Sequence, residues 1–222
     1  NLGPNTVLNY EAEFIRIRTP LDRGIVQVNG NAGALPRDRY LGDPSRDNLH
    51  VNGDTHQFTL DHDLGQGWRT RVGASYRETD LYGEAVDLTG TLQADGRTLT
   101  RRDSWRSLPA RDTSVQAEVE GKLQTGGLRH TVLAGVESWR LFMGQDIRYS
   151  TLASQPFAID IHTPTYGQAP GNLTPGFDTR DRQRATGLFV QDQMDLSERW
   201  KLLAGVRFDR YHQDYENRLN RA

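Results

Sequence analysis

Cysteine is absent from the 222-residue chain, which excludes disulfide bonds and thiolate metal sites. Long apolar runs are missing as well: hydrophobic residues make up 35% of the sequence, and no stretch of about 18 apolar residues occurs. Helical membrane spans are therefore excluded. The formal net charge of −2 gives no overall field that would attract nucleic acid. A soluble globular protein and a membrane β-barrel, whose strands face lipid on one side only, both remain compatible with this composition.

The strongest pattern in the sequence is an alternation of apolar and polar residues with period two. In one segment, Val115, Ala117 and Val119 alternate with Gln116 and Glu118. Period two places successive side chains on opposite faces of a strand, and a helix does not produce it. Seven strands are predicted, near residues 5–17, 52–64, 68–80, 112–124, 128–142, 184–196 and 200–213.

Short and long connections between these strands alternate along the chain. The short connections have the composition of tight hairpin turns, and they are Gly65-Gln66-Gly67, Thr125-Gly126-Gly127 and Ser197-Glu198-Arg199. The long connections are rich in Pro, Gly, Asp and Arg, and they run roughly over Thr19–Val51, Leu81–Arg111 and Gly144–Arg182. Structureless loops this long are unusual in a compact soluble domain. Short periplasmic turns and long extracellular loops are typical of outer-membrane barrels.

The fold predicted from these patterns is all-β: an antiparallel transmembrane β-barrel segment. Each strand has about a dozen residues, which is enough to cross a bilayer when tilted. Trp68 and Trp200 directly follow short turns, where an interfacial aromatic girdle is expected, although ordinary core tryptophans are the alternative. A complete single-chain bacterial barrel has an even number of strands, starting at about eight. About seven strands are therefore expected to be part of a larger barrel, with strands missing on both sides.

Particular segments carry a family resemblance. Thr186–Tyr211 resembles a hairpin of TonB-dependent siderophore receptors, with the pattern G-x-F-x-Q-D-Q, a short turn containing Trp, and then L-x-G-x-R-x-D. His130–Glu137 is similar to the family strand H-x-L-L-x-G-V-E. Leu21–Gly24, followed by Pro36–Pro44, resembles the loop after an early barrel strand in ferrichrome-type receptors. The resemblance covers most of the chain, in the right order.

The resemblance implies a barrel of about 22 strands whose lumen is filled by an N-terminal plug domain. The plug and the TonB box are not in this sequence, so residues 1–222 are expected to form a partial barrel domain. The implied function of the parent protein is to bind a ferric siderophore at its extracellular loops and import it with TonB-supplied energy. Implied partners are the siderophore, TonB through the plug, and outer-membrane lipid of a Gram-negative bacterium. No cofactor and no enzymatic activity are implied, because the iron arrives inside its chelator.

Candidate ligand contacts are the aromatic and arginine side chains of the long connections. A ferric siderophore needs aromatic surfaces for packing and donors for its oxygens. The candidates are Tyr40, Tyr82, Trp105, Arg106, Tyr149, Phe157 and Tyr166. For each of them, packing of one loop on another is the alternative. The charged residues of the alternating strands are expected to line the lumen instead; they are Arg69, Arg71, Glu118, Glu120, Lys122, Arg207 and Asp209.

Two other classes of protein are left open by the residues. A small outer-membrane enzyme, a protease or phospholipase, would be a complete barrel of ten or twelve strands. A soluble β-sandwich binding module would pack its apolar faces on each other, yet small residues such as Ala74 and Gly121 would give it a thin core. The sequence contains no G-x-x-x-x-G-K-S/T or G-x-S-x-G motif and no histidine pair with metal-ligand spacing, so catalytic and metal sites are not predicted.

Overall fold

The chain forms one antiparallel sheet in the computed structural model, which describes residues 3–152 and 157–219. The strands are β1 (Thr6–Thr19), β2 (Asn48–Gly65), β3 (Trp68–Leu92), β4 (Thr98–Thr125), β5 (Leu128–Tyr149), β6 (Ile159–Asp160), β7 (Thr174–Asp195) and β8 (Lys201–Asn217). Their order in the sheet is β1-β2-β3-β4-β5-β7-β8, and the two-residue β6 pairs with β4. Seven long strands in chain order confirm the predicted antiparallel architecture. Within the described ranges, no helix is long and apolar enough to cross a membrane.

The two faces of the sheet differ in polarity, as the alternation predicts. The strand register places one apolar row across five strands, made of Val72, Ala117, Val136, Leu188 and Phe208. This side is called the apolar face. Phe208 is 69% exposed and Leu188 is 57% exposed. In the described part of the chain no second sheet covers these side chains. The apolar face is therefore not packed in the way that the faces of a β-sandwich are.

The opposite side of the sheet, called the polar face, carries the charged residues of the alternating strands. Arg69 lies opposite Glu120, and Arg71 lies opposite Glu118. The Arg69 guanidinium is 2.9 Å from the Glu120 carboxylate, and Arg71 is 2.7 Å from Asp61. All of these groups are at least partly exposed, so water reaches both members of each pair.

The predicted short turns are confirmed at one end of the sheet, which is called the turn end. Gly65 pairs with Trp68, so only Gln66 and Gly67 form the loop between β2 and β3. Their φ angles are 54° and 81°. Positive φ at both central residues matches the twist of two-residue hairpins. Gln66 has to adopt a conformation that glycine accepts without strain.

One predicted long connection is wrong. The segment Leu81–Arg111 is mostly strand: β3 and β4 remain paired from Trp68 opposite Gly121 as far as Leu88 opposite Arg101. Only residues 93–97 join the two strands. Two features hide these strands in the sequence. Apolar and polar residues do not alternate regularly along this segment. Pro109 also removes a backbone donor, in line with the interrupted β4–β5 pairing between Ser107 and Ala110.

The end of the sheet opposite the turns, called the loop end, holds the buried core. The segment 20–47 joins β1 to β2, and the segment 150–173 joins β5 to β7. Both pack on the extended β3–β4 hairpin around a cluster of buried side chains, which are Leu35, Leu41, Leu99, Ile159 and Ile161. Apolar burial therefore holds the described parts of the connecting segments on the sheet, while the sheet itself leaves its apolar face open.

Candidate functional site

The ligand contacts proposed from the sequence all lie at the loop end, but they divide into three groups. Two are on the polar face, two are on the opposite face of the same strands, and three are in the connecting segments. In that order they are Arg106 and Tyr149, Tyr82 and Trp105, and Tyr40, Phe157 and Tyr166. The structure does not bring these side chains together on one surface.

The polar-face group combines an aromatic ring with arginines. The Arg102 guanidinium lies 3.8 Å from the centre of the Tyr149 ring. Arg106 is 3.3 Å from the Asp87 carboxylate, and Arg23 from the first long connection donates to the same carboxylate at 2.6 Å. Arg102 forms no ion pair with any described residue. The group therefore presents one uncompensated guanidinium, stacked on a tyrosine ring, next to an arginine–aspartate cluster.

The second group lies on the side that continues the apolar face, and its rings are occupied by neighbours. Tyr82 stacks on His50 with ring centres 5.0 Å apart. Trp105 lies 5.3 Å from the guanidinium of Arg148, which also pairs with Asp146 at 3.1 Å. By register, these rings are directed away from the polar face.

The third group packs one connecting segment on another. The Phe157 side chain is fully buried, and its ring lies 4.7 Å from the guanidinium of Arg101. The Tyr166 hydroxyl donates to the backbone carbonyl of Tyr40 at 2.8 Å, and the Tyr40 hydroxyl donates to Asp47. These contacts are packing of one loop on another, which is the alternative to a ligand contact for Tyr40, Phe157 and Tyr166.

Arg101 organises the loop end from the inside. Its Nε donates to the carbonyl of Phe157 at 2.9 Å, and its Nη1 donates to the carbonyls of Leu41 and Gly42 at 3.1 and 2.6 Å. Burial lowers the pKa of this guanidinium, because charge is costly away from water. One side chain on β4 thus fixes both long connecting segments.

Two carboxylates complete this internal network. Asp47 accepts backbone N–H donors from Asp43 and Val86, both at 2.6 Å. Burial raises the pKa of Asp47 above its usual value. Burial by itself would raise the pKa of Asp43. Hydrogen bonds donated by Ser45 and Gly167 outweigh this effect, so the pKa of Asp43 is lowered. The hydrogen bonds tie the segment 20–47 to β3 and to the segment 150–173.

Sequence reasoning missed Arg101, Arg102, Asp43 and Asp47. The run Arg101-Arg102-Asp103 has the composition of an exposed loop. Had β4 been predicted to begin at Thr98, strand alternation would have separated Arg101 from Arg102, one on each face. Nothing in the sequence shows that the face carrying Arg101 is covered.

No group of three or more His, Cys, Asp or Glu side chains in residues 3–152 and 157–219 could hold a metal ion.

Comparison with known proteins gives the family. Residues 1–222 match the family described as "TonB dependent receptor-like, beta-barrel". The chain is 39% identical over 224 aligned residues to the metal-pseudopaline receptor CntO of Pseudomonas aeruginosa, with 99% of this chain and 31% of that protein covered. It is 25% identical over 195 residues to the ferrioxamine B receptor of Salmonella typhimurium, with 86% of this chain and 26% of that protein covered. The chain thus spans about a third or less of the length of these relatives.

Solved structures show the same fold at low identity. The ferric-catecholate import receptor Fiu from E. coli superposes with a TM-score of 0.80 at 18% identity, covering 97% of this chain and 36% of that one. The siderophore receptor PiuA from Acinetobacter baumannii superposes with a TM-score of 0.79 at 16% identity, covering 96% of this chain and 34% of that one. In both comparisons nearly the whole of this chain corresponds to about a third of the other chain.

Proposed function

The chain belongs to the TonB-dependent receptor β-barrel family, and from this premise we propose that it forms part of a receptor that binds a ferric siderophore and imports it with TonB-supplied energy. The family imports metal or siderophore complexes and resides in the outer membrane of Gram-negative bacteria. Its members are transport receptors and not enzymes. The observation that carries the proposal is a single sheet with one apolar face, one charged face, and an arginine–tyrosine group at the loop end of the charged face.

The proposed contact surface consists of Arg102, Arg106 and Tyr149. Guanidinium groups bind the anionic oxygens of a chelator with charge-assisted hydrogen bonds. A tyrosine ring packs against the flat organic part of such a complex, and its stacking on Arg102 orients the guanidinium. Tyr82, Trp105, Tyr40, Phe157 and Tyr166 are engaged by neighbouring side chains, so their expected role is to hold the connecting segments in place.

The polar face is proposed to line the path of the complex. Exposed ion pairs contribute little stability, at most about 1 kcal/mol each. Pairs such as Arg69 with Glu120 can therefore exchange their partners for water or for plug side chains at low cost. Such a lining gives the path a hydrated, polar surface and carries out no chemical reaction. Gating would come from the plug, on which TonB acts.

Binding of a ferric siderophore to the intact receptor tests the contact surface. In Gram-negative cells that express the full-length protein, Arg102→Ala and Tyr149→Ala should each weaken binding of a radiolabelled ferric siderophore by about tenfold. Arg69→Ala, at the turn end of the same face, is the matched control and should leave affinity unchanged. Alanine variants of Trp105 and Tyr166 should have smaller effects than Tyr149→Ala. Unchanged affinity in both Arg102→Ala and Tyr149→Ala would remove this surface from the proposal.

The class of complex is tested with a panel. The two relatives are named for metal-pseudopaline and for ferrioxamine B. Both complexes should be offered to cells that lack other receptors, and growth under limitation of the metal that each complex carries should be measured. We expect a ferric siderophore to restore growth. Growth with the metal-pseudopaline complex alone would redirect the proposal to that cargo.

A further inference from the structure

A cavity of about 350 Å³ lies in the polar face, in the half of the sheet that includes the loop end. It opens where the pairing of β4 with β5 is interrupted, between Ser107 and Ala110. Among the described residues that line the cavity, Asp181 is the only one with a charged side chain. The cavity is therefore unlike the rest of the polar face, where charged side chains lie next to charges of the opposite sign.

Strand register brings the main residues of the cavity together. Met143 of β5 lies opposite Asp181 of β7, and Asp181 lies opposite Tyr215 of β8. Side chains alternate between the two faces along a strand, and Leu188 of β7 is on the apolar face. Asp181, an odd number of positions from Leu188, is therefore on the polar face, together with Met143 and Tyr215.

The Asp181 carboxylate is held through only one of its two oxygens. Its Oδ2 accepts hydrogen bonds from the side-chain amides of Gln183 at 2.8 Å and Gln213 at 2.9 Å. Its Oδ1 is buried and accepts no hydrogen bond from any described residue. The adjacent arginines in the chain, Arg180 and Arg182, are on the opposite face of the strand.

Asp181 consequently lacks a counter-charge. It forms no ion pair with any described residue, although buried polar atoms are nearly always hydrogen-bonded and a buried charge is costly without an opposite charge beside it. The carboxylate therefore requires a cation from outside the described part of the chain.

The walls of the cavity indicate which kind of cation fits. Leu108, Ala110 and Met143 supply apolar surface, and Tyr215 supplies an aromatic ring. Met143 is 40% exposed and Tyr215 is 63% exposed, so both side chains can be reached. Apolar walls pack against methylene groups, and an aromatic ring attracts a positive charge. An alkylammonium group, which has an apolar stem and a charged head, matches this lining, whereas a hydrated metal ion would gain nothing from the apolar walls.

The position of the cavity favours the imported complex as the source of this group. On the other side of the sheet, arginine replaces apolar residues at Arg140 of β5 and Arg184 of β7. Met143 and Asp181 lie beyond these arginines in the direction of the loop end. With the apolar face in lipid, the cavity is thus on the side from which a complex arrives. Along β5 the cavity is about 20 Å from Tyr149 of the proposed contact surface, so it provides a second contact further along the path.

We propose that this cavity binds a primary alkylammonium group of the imported complex, with the ammonium on the Asp181 carboxylate and the methylene stem against Leu108 and Met143. The receptor then prefers a chelator with a free amine to the same chelator with its amine capped. A lysine side chain of the plug has the same chemistry and is the alternative source of the cation. The inference rests on the proposed import function, because it assigns the ammonium group to the cargo.

Binding of a matched pair of complexes to the purified full-length receptor tests the proposal. The probes are ferrioxamine B, for which one relative is named and which ends in a free primary amine, and the same complex after acetylation of that amine. Acetylation removes the positive charge and leaves the iron centre unchanged. The unaltered receptor should bind the amine form at least about tenfold more tightly, because the acetylated form cannot make the charge-assisted hydrogen bond to Asp181. Equal affinity for the two forms, or binding of neither form, would overturn the proposal.

Two variants locate the site. Asp181→Asn keeps the size of the side chain and removes its charge, and the ratio of the two affinities should fall to about one. Asp214→Asn makes the same change on the opposite face of β8, next to Tyr215 in the chain, and should preserve the preference. Retention of the preference in Asp181→Asn would overturn the proposal.

Thermal unfolding of the receptor without ligand distinguishes the two sources of the cation. If a plug lysine occupies the cavity, Asp181→Asn should lower the unfolding temperature and leave the preference unchanged, which would overturn the assignment to the cargo. Failure of the proposed import function gives a different result, because no ferric siderophore would then bind. Failure of this inference leaves binding of a ferric siderophore in place and removes only the discrimination by the amine.

Discussion

At the scale of single residues, the loop end depends on a charge that the fold buries completely. Arg101 is 0% exposed and satisfies three backbone carbonyls from two separate segments. A buried hydrogen bond adds little net stability to the fold. Removal of one partner is costly, however, because the other buried polar groups are left without a hydrogen bond. The role of Arg101 is therefore to fix the arrangement of the segments around it.

Replacement of this side chain should loosen the loop end. Arg101→Leu leaves the carbonyls of Leu41, Gly42 and Phe157 without their donor, and we expect a loss of about 3 kcal/mol of local stability. Hydrogen exchange of residues 40–43 and 157–161 in the detergent-solubilised receptor is the measurement. Arg148→Leu removes an exposed guanidinium and should cost under about 1 kcal/mol. Equal protection in the two variants would contradict the role assigned to Arg101.

Asp160 gives a pH dependence at the same end. Burial pushes the pKa of Asp160 upward, but backbone donors from Thr163 and His162 and the Arg97 guanidinium outweigh it and lower the pKa to about 2. A depressed carboxyl pKa stabilises the fold above the ordinary value of 3.8, and this stabilisation is lost as the pH falls toward about 2.

The expected result is that the amides of His162 and Thr163 lose protection between about pH 4 and pH 2, after correction for intrinsic exchange rates. Asp160→Asn should lack this step, because it has no carboxyl to protonate. A step of the same size in Asp160→Asn would assign the titration to another group.

At the scale of the elements, register decides which side chains meet. Trp68 at the start of β3 lies opposite Gly121 on β4. A Cβ atom on Gly121 would run into the indole ring, so the small residue leaves the space that the ring occupies. This is an aromatic side chain covering a glycine on the neighbouring strand, at the turn end of the sheet, where the sequence predicts an interfacial indole.

A side chain at position 121 should displace the indole. Gly121→Val is expected to destabilise the barrel by about 1–3 kcal/mol, measured by urea unfolding of the receptor in lipid vesicles. Gly127→Val places the same side chain in a turn where no atom lies within 4 Å of the added Cβ. Gly127→Val should therefore destabilise the barrel by less than Gly121→Val does. A larger loss for Gly127→Val than for Gly121→Val would show that the contact with Trp68 does not limit this position.

At the scale of the whole molecule, the sheet separates an apolar face from a polar one along all seven long strands. Arginine on a lipid-facing position near the midplane of a barrel costs about 2–4 kcal/mol, whereas a water-filled lumen tolerates it. Leu188 on the apolar face and Gln191 on the polar face of the same strand therefore provide a direct comparison.

Leu188→Arg should lower the fraction of receptor that folds into vesicles, and Gln191→Arg should leave it close to the unaltered value. The folded fraction is read from the shift in electrophoretic mobility between heated and unheated samples. Equal folding of the two variants would contradict the assignment of the faces.

Much of this architecture was predictable because lipid imposes a simple rule. Where one face meets hydrocarbon, apolar residues must recur at every second position, and Val115, Ala117 and Val119 show this directly in the sequence. The turns at Gly65–Gly67 and Gly126–Gly127 were predictable because short hairpins need residues that accept positive φ. A strand that extends beyond the lipid does not need apolar residues at every second position. The sequence of the outer halves of β3 and β4 therefore predicts a loop.

The sequence by itself determined that seven long strands form, where the short turns join them, and the family, but not the full length of β3 and β4. The first two follow from local spacing, and the family follows from segments such as the hairpin from Thr186 to Tyr211. Only the tertiary structure decided which face each loop-end side chain occupies and which neighbours it meets. It separated Tyr149 from Trp105, buried Phe157 against Arg101, and set Arg140 beside Arg184. These contacts join residues far apart in the chain, and cross-strand register and loop packing, which create them, leave no periodic trace in the sequence.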